Sequence, residues 1–476
     1  TILHTNDIHG QFRAVDQDTP EGTGPAGGFI NLSAHVRRER ARSERTLLLD
    51  AGDVMTGNPI CEYEYEGVRG GALIHLMNLV GYDAMALGNH EFNFGLGSLR
   101  RAEAQAEFPF LSANTVSAAT GEPAFASHRV IEAGGVRVGI VGLVTPNIPG
   151  WERPEHYRGL AFRPMDEVAR EQVKLLREGE NCDLVVVLAH TGFERDPDDG
   201  RPSGTEAEDW AWRLAQIEGI DILLTGHTHT DIPPRKVSGT IVSQPGGRAR
   251  LLTRIDLVLE DNDGWEISSW DGRNIPLAGV VGDPAIEDAM APLHRRVAEA
   301  LDGPVGEIDQ DLSVTDCRLR DCAALDLIHR VQLETSGAEL SLASLLTDRT
   351  PDLAAGPVTW RWIYSFYVYP NTLVKVEVTG DQVVEILEYA ARYYQGMECS
   401  PGGACVVLTD ASIPHYNVDT MAGISYRVDP TQPLGERVQD VRVGGRPIDL
   451  DRTFALVCNN YRAAGGGGYP HLAEAD

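Results

Sequence analysis

Residues 84–93 read AMALGNHEFN. An apolar run, Ala84-Met85-Ala86-Leu87, stops at a glycine and is followed by an amide, an imidazole and a carboxylate in consecutive positions. That is the pattern of a buried strand whose end carries reactive groups. Four other stretches stop in the same way. ILHTNDIHG (2–10) supplies Asp7 and His9, and TLLLDAGD (46–53) supplies Asp53. DLVVVLAHTG (183–192) supplies His190, and DILLTGHTHT (221–230) supplies His227 and His229. Asn89 completes the set, with His90 next to it.

In open α/β sheets, ligands collect just beyond the carboxyl ends of the strands, so one rule places all five clusters together. Asp7 and His9, like His227 and His229, stand at i and i+2, which on an extended segment point the same way. Carboxylate, imidazole and amide oxygen suit Mn, Fe, Zn, Co or Mg better than copper or an iron–sulfur cluster. Seven ligands are too many for one ion and fit two ions about 3.5–4 Å apart that share a carboxylate. A lone Asp-x-His is usually coincidence, and a lone histidine at a strand end is more often a hydrogen-bonded loop residue. The joint occurrence of five clusters decides between these readings.

The first half of the chain alternates strands, predicted over 2–5, 46–50, 83–87, 136–143, 183–189 and 220–225, with helices that include 71–80 and 165–178. Such alternation predicts an α/β domain. A strand-rich, turn-punctuated section follows to about residue 270. Residues 283–301 (DPAIEDAMAPLHRRVAEAL) carry apolar positions at helical spacing, where a connector would sit. The second half places strands at 373–378 and 454–458 and an amphipathic helix at 381–394. The domains are accordingly set at 1–275 and 306–476, with a linker helix in 276–305. The glycine tract 465–468 reads either as a flexible turn or as a loop that lets a ligand approach the backbone.

A chain of 476 residues accommodates two or three domains. Its 42% hydrophobic and 23% charged residues are those of a globular protein, and no run is long enough to span a membrane. Forty-one basic against 70 acidic residues give a net charge of −29. That charge excludes nucleic-acid polymers and anionic membranes as partners, and leaves a small molecule. A phosphorylated substrate would then need positive charge supplied locally. The seven cysteines are an odd number. Cys399 and Cys405 flank a Pro-Gly-Gly loop and could close a small ring, and Cys317 and Cys322 are near neighbours. Cys182 and Cys458 adjoin apolar strands and read as buried thiols. Disulfides would place the chain in an oxidising compartment. The expectation is an extracytoplasmic protein (periplasmic, secreted or cell-surface) whose leader is not present in this sequence.

NDIHG, GD, GNHEF, AHTG and GHTH, in this order, resemble the five blocks of the metallophosphoesterase superfamily. The spacing resembles the branch with 5′-nucleotidases and 2′,3′-cyclic-nucleotide 2′-phosphodiesterase/3′-nucleotidases, over nearly the whole chain. The resemblance implies an N-terminal four-layer α-β-β-α metallophosphoesterase domain and a C-terminal α+β nucleotide-recognition domain. It implies two divalent metal ions (Mn, Zn, Co, Fe or Mg). Asp7, His9, Asp53 and His229 would hold one, and Asp53, Asn89, His190 and His227 the other, with Asp53 bridging. Such ions keep a site positive inside an acidic protein. His90 would stabilise or protonate the leaving oxygen while a metal-activated hydroxide attacks phosphorus in line. Glu91 is expected to be structural.

FYVYPNTLVKVEVTG (366–380) and CNNYRAAGGGGYP (458–470) resemble the two nucleobase-binding segments of the branch. Tyr369 and Tyr461 would sandwich the base, at about 1–3 kcal/mol per stacked base, and Asn371 would contact it. Outside that pairing, each tyrosine reads as a half-buried strand residue. Arg318 and Arg349 lie where the family supplies phosphate-contacting arginines. Asn93 stands where 5′-nucleotidases usually carry an aspartate bonded to the catalytic histidine. Gly467 stands where they tend to carry an aspartate on the ribose, and residues 413–433 resemble the cyclic-phosphodiesterase type. These features imply 2′,3′-cyclic nucleotides and 3′-nucleotides as substrates. HTNDIHGQF and DAMALGNHEF resemble the other side of the branch, so a 5′-nucleotidase or nucleotide-sugar hydrolase is the alternative. A thiosulfohydrolase is disfavoured by the paired tyrosines, and a non-catalytic surface nucleotide-binding protein by the intact ligand set.

Overall fold

The computed structural model describes residues 1–13, 27–43, 45–203, 205, 208–262, 264–279, 281–347, 350–368, 371–400, 403, 405–410, 413, 415–473 and 475. The chain divides into two units, Thr1–Val297 and Ala298–Asp476.

Leu47–Asp50, Leu184–His190 and Ile222–Thr225 are buried at every position, as expected of parallel strands covered on both faces. They belong to two six-stranded sheets. In the first, Ile2–Thr5, Leu47–Asp50, Ala84–Ala86 and Phe110–Leu111 run parallel, and Leu251–Asp261 and Trp265–Pro276 extend one edge antiparallel. In the second, Leu184–His190 lies in parallel between Val136–Val144 and Ile222–Thr225. Predicted strands 83–87 and 220–225 start later than expected. Asp83 and Asp221 instead turn their carboxylates to the backbone N–H groups of Leu48 and Val185 on neighbouring strands.

The two sheets face each other across a core that includes Ile2, Leu49, Ile140, Val186 and Leu224. On the outer face of the second sheet, Val187 and Leu223 pack with Met165 and Val168 of helix Met165–Lys174 and Leu214 of helix Ala211–Ala215. Outside the first sheet, Phe29 of helix Phe29–Arg40 packs on Tyr82, whose hydroxyl lies 3.0 Å from that of Thr5. The result is a four-layer α-β-β-α unit. The helix expected over 165–178 passes into a π turn at Leu175–Gly179, where Arg177 leaves the helix surface to bind the Gly219 and Asp183 carbonyls. The helix expected over 283–301 spans Pro284–Leu301. Asp283 accepts from Ser33 Oγ and Ala285 N–H at its start, and Met290 is fully buried.

The second unit is α+β. Its main sheet has the order Leu373–Thr379, Thr453–Asn459, Leu340–Ser344, Asp419–Ala422. Helix Gly380–Ala391 opens on a capping box between Thr379 and Gln382 and buries Val383, Ile386 and Leu387 against Val376 and Phe454. The helix expected to reach 394 stops at Ala391. The chain from Tyr394 is taken up in a hairpin, Tyr394–Cys399 with Cys405–Thr409, which the Cys399–Cys405 disulfide closes. Cys317–Cys322 is a second disulfide, and Cys61, Cys182 and Cys458 are free and buried. Among the described residues, no helix is long and apolar enough to cross a membrane.

Candidate metal centre

Asp7, His9, Asp53 and Asn89 follow strands of the first sheet, and His190, His227 and His229 end or follow strands of the second. The expected extended geometry at i and i+2 is corrected. Asp7, His9, Asp53, His227 and His229 have φ of 48°, 49°, 61°, 76° and 54°. Non-glycine residues are strained in this left-handed region and persist only where surroundings hold them. Here Asp7 N–H donates to Gly52 O (2.8 Å), His9 N–H to Asp53 O (3.0 Å) and Arg248 N–H to Asp7 O (2.7 Å). The side chains therefore converge because the backbone turns sharply, not because it is straight.

Two groups result, Asp7 with His9 and His229, and Asp53 with His190 and His227, the ligand atoms of each lying within 4.8 Å of one another. Asp53 Oδ2 reaches toward both, 3.0 Å from His190 Nε2 and 3.9 Å from His9 Nε2. Asn89 Oδ1 lies 3.1 Å from His190 Nε2. His9 Nδ1 sits 3.2 Å from Thr56 O, and His190 Nδ1 2.8 Å from Ala51 O. Each Nδ1–H is thus donated to a carbonyl, and each Nε2 faces inward, carrying a lone pair wherever the ring is neutral. His9 Nε2 faces His229 Nε2 at 2.9 Å, and buried Asp7 Oδ1 has no hydrogen-bond partner among the described residues. Ring nitrogens and a carboxylate oxygen that converge in this way suit cations, and the donor set fits divalent ions.

The electrostatics differ from ring to ring. Burial works against charge on His190, but Asp53 together with Asp7 and Glu91 outweighs it and pushes the ring up to about 10, so an ion bound there would displace a proton. Burial would raise the Asp7 carboxyl, yet His229 and His9 hold it well below the usual carboxylate range. On His9 burial prevails over Asp7 and lowers the ring to about 4.

His90 belongs to neither group. Its N–H donates to Asp53 Oδ1 (2.8 Å), its ring centroid lies 5.3 Å from that of His9, and its Nδ1 meets Asn93 Oδ1 at 2.7 Å. Glu91 is buried and accepts from the N–H groups of Gly88 (2.7 Å), Asp53 (2.8 Å), Val54 (2.8 Å) and Met55 (3.1 Å), which is the structural role expected of it. At Gly88 a Cβ would meet Asp53 Oδ1 at 2.2 Å, so only glycine fits. Trp151, whose ring stacks on His227 (5.2 Å, 28°), escapes a reading of the sequence, because nothing in IPGW (148–151) marks a site.

In the second unit, Tyr461 is half-buried, with the Tyr416 ring edge-on at 6.4 Å. The glycine tract is a packed turn, which corrects the flexible reading. A Cβ at Gly466 would lie 2.5 Å from the Tyr461 ring. The Gly466 carbonyl accepts from the buried Arg462, which also pairs with Asp419 at 2.7 Å. Asn371 Nδ2 lies 3.5 Å from the Tyr367 hydroxyl. Arg318 lines a cavity of about 600 Å³ with His329, Tyr394 and Tyr426, and its Nε and Nη2 are buried with no hydrogen-bond partner among the described residues. Tyr369 and Arg349 lie outside the described residues.

Two facing sheets with paired Asp/His groups at their strand ends define a metal-dependent phosphoesterase. The calcineurin-like phosphoesterase family matches residues 1–231, and the 5′-nucleotidase C-terminal domain matches 302–474. The chain belongs to the calcineurin-like metallophosphoesterases that carry a 5′-nucleotidase C-terminal domain. The calcineurin-like family uses a dinuclear divalent metal site. The whole chain is 28% identical to the trifunctional nucleotide phosphoesterase protein YfkN of Bacillus subtilis, of which it spans 36%. It is also 28% identical to the 2′,3′-cyclic-nucleotide 2′-phosphodiesterase/3′-nucleotidase of Haemophilus influenzae, with 100% of this chain and 82% of that relative covered. A Staphylococcus aureus protein of the 5′-nucleotidase type, solved with alpha-ketoglutarate, matches at a TM-score of 0.85 and 26% identity, covering 100% of this chain and 92% of that one.

Proposed function

We propose that this chain hydrolyses phosphoesters of small nucleotides with the help of two divalent ions, and that 2′,3′-cyclic nucleotides and 3′-nucleotides are its preferred substrates. The observation that carries the proposal is the position of Asp53, whose Oδ2 reaches toward both three-residue groups while its Oδ1 accepts from His90 N–H. Asp7, His9, Asp53 and His229 would hold one ion, and Asp53, Asn89, His190 and His227 the other. Bound there, the ions would polarise the phosphoryl oxygens and acidify the attacking water.

The chain's own residues do the rest. Glu91 fixes the turn that carries Asp53, and the Thr56 and Ala51 carbonyls orient the His9 and His190 rings. His90, held at Nδ1 by Asn93, leaves Nε2 for the leaving oxygen, which it would stabilise or protonate. In this reading residues 1–275 supply the metals, and 306–476 recognise the base through Tyr461, Tyr369 and Asn371 and the phosphate through Arg318 and Arg349. The helix within 276–305 links them. An extracytoplasmic location is supported by the two disulfides.

The cyclic-nucleotide preference is supported by Asn93, by Gly467 and by the name of the Haemophilus influenzae relative. The 5′-nucleotidase reading is favoured by the fold match to the Staphylococcus aureus protein. Turnover of 2′,3′-cAMP, 3′-AMP and 5′-AMP, measured side by side with Mn²⁺, separates the two. The first two substrates should be preferred, and preference for 5′-AMP would overturn the proposal. Metal-loaded protein with no turnover on any of them would point to a binding protein.

A further inference from the structure

Asn93 does not face His90 alone. Its Nδ2 donates to Glu152 Oε2 at 2.5 Å, while its Oδ1 meets His90 Nδ1 at 2.7 Å. Glu152 stands 59 residues further along the chain, with its side chain only 8% exposed. Its other oxygen, Oε1, accepts from the Arg153 N–H at 2.7 Å and lies 2.9 Å from His156 Nδ1. An ionised carboxylate only accepts hydrogen bonds. Glu152 therefore dictates which end of the Asn93 amide it meets, and the end it meets is Nδ2. Oδ1 is then turned to His90, and because an amide oxygen also only accepts, His90 Nδ1 must carry the hydrogen. An asparagine with no such neighbour could present either end and would fix neither the ring nor its tautomer.

We infer that Glu152 is a positioning residue for His90, acting through Asn93. The sequence of hydrogen bonds runs from the Arg153 backbone through Glu152 and Asn93 to the imidazole, and each link has one allowed direction. This role presupposes that His90 acts on the substrate, as proposed above. It adds a residue outside the five strand-end clusters, on the turn that follows helix Ile148–Trp151.

The direction of each link yields a reciprocal test. In Asn93→Asp, two carboxylates meet acceptor to acceptor. In Glu152→Gln, the new amide nitrogen opposes the Arg153 N–H or the Asn93 amide nitrogen, or else turns the Asn93 amide over so that Nδ2 faces His90 and the opposite tautomer is favoured. The double variant Asn93→Asp/Glu152→Gln restores every link. The amide introduced at position 152 donates to the carboxylate introduced at position 93, and that carboxylate accepts from His90 Nδ1–H. The oxygen of the new amide still accepts from the Arg153 N–H. Each single variant should lower kcat on 2′,3′-cAMP with Mn²⁺ by about 10- to 100-fold, the range typical of partners that orient a site residue from behind. The double variant should recover to within about threefold of wild type, with manganese content unchanged throughout.

Nitrogen-15 NMR of histidine-labelled protein, with the His90 signals found by difference from His90→Ala, supplies a readout independent of turnover. The Nδ1–H tautomer should dominate in wild type and in the double variant, and be lost or mixed in Glu152→Gln. Single variants at wild-type rates, or a double variant no better than the worse single, would overturn the role of Glu152. Undiminished turnover in His90→Ala would instead overturn the function proposed for His90.

Discussion

The Nε2 atoms of His9 and His229 face one another at 2.9 Å. With His9 Nδ1 engaged by Thr56 O, that approach sets a lone pair against a second ring nitrogen beside Asp7. A cation held by His9, His229 and Asp7 would replace that contact with stronger ones, so metal binding should stabilise the first unit. Ligand present at a hundredfold excess over its Kd contributes about 2.7 kcal/mol. Calorimetry should show the transition of this unit rising when Mn²⁺ is added and falling back with chelator, and His229→Ala should blunt the rise. An unshifted transition would count against the site.

Glu91 gathers four backbone N–H groups from two strand-end turns. In Glu91→Gln the amide nitrogen would oppose either the Asp53 and Gly88 N–H groups or those of Val54 and Met55, leaving buried donors without partners. The expected loss is about 2–4 kcal/mol in urea unfolding, because each unsatisfied buried group costs about 1–3 kcal/mol. A loss below about 0.5 kcal/mol, typical of surface substitutions, would mean that the turn is held elsewhere.

Tyr461 is backed by Gly466 and flanked by Tyr416. If its ring stacks on the base, Tyr461→Ala should raise KM for nucleotides by about 5- to 150-fold, equivalent to about 1–3 kcal/mol. Hydrolysis of bis(p-nitrophenyl) phosphate, which has no nucleobase, should hardly change. Equal losses on both substrates would indicate general damage to the unit.

His329 is buried between the hydroxyls of Ser341 (2.9 Å) and Thr420 (3.0 Å), and burial lowers its pKa from 6.5 to about 4. The unfolded chain therefore binds a proton that the folded one refuses. The stability this contributes is complete above pH 6.5 and declines as pH falls toward about 4. The loss attributable to His329 is about 3 kcal/mol. Urea unfolding of wild type and His329→Gln between pH 7 and pH 4 should show a shallower pH dependence in the variant, and parallel curves would refute the shift.

The two-sheet unit is legible in the sequence because its central strands are apolar at every position, as in LVVVLAH (184–190), and because each ends on a ligand cluster. The turns themselves are not. Left-handed φ at Asp7, His9 and Asp53 depends on hydrogen bonds between separate strand ends, which no local pattern records. The end of helix Gly380–Ala391 is hidden because its apolar spacing continues past Ala391, whereas pairing with Cys405–Thr409 claims the chain from Tyr394. Glu152 cannot be seen at all, since its partner Asn93 is 59 residues away and an isolated Trp-Glu-Arg-Pro carries no motif. The glycine tract is ambiguous in sequence because its order comes from Arg462, Tyr461 and Asn417 packed around it.

Asp53 is the residue proposed to bridge the two ions, and counting metal in Asp53→Asn tests that most directly. After reconstitution with Mn²⁺ and removal of free ion, elemental analysis should find two equivalents per chain in wild type and fewer than one in the variant. A single equivalent in wild type, or two retained without the Asp53 carboxylate, would contradict the account.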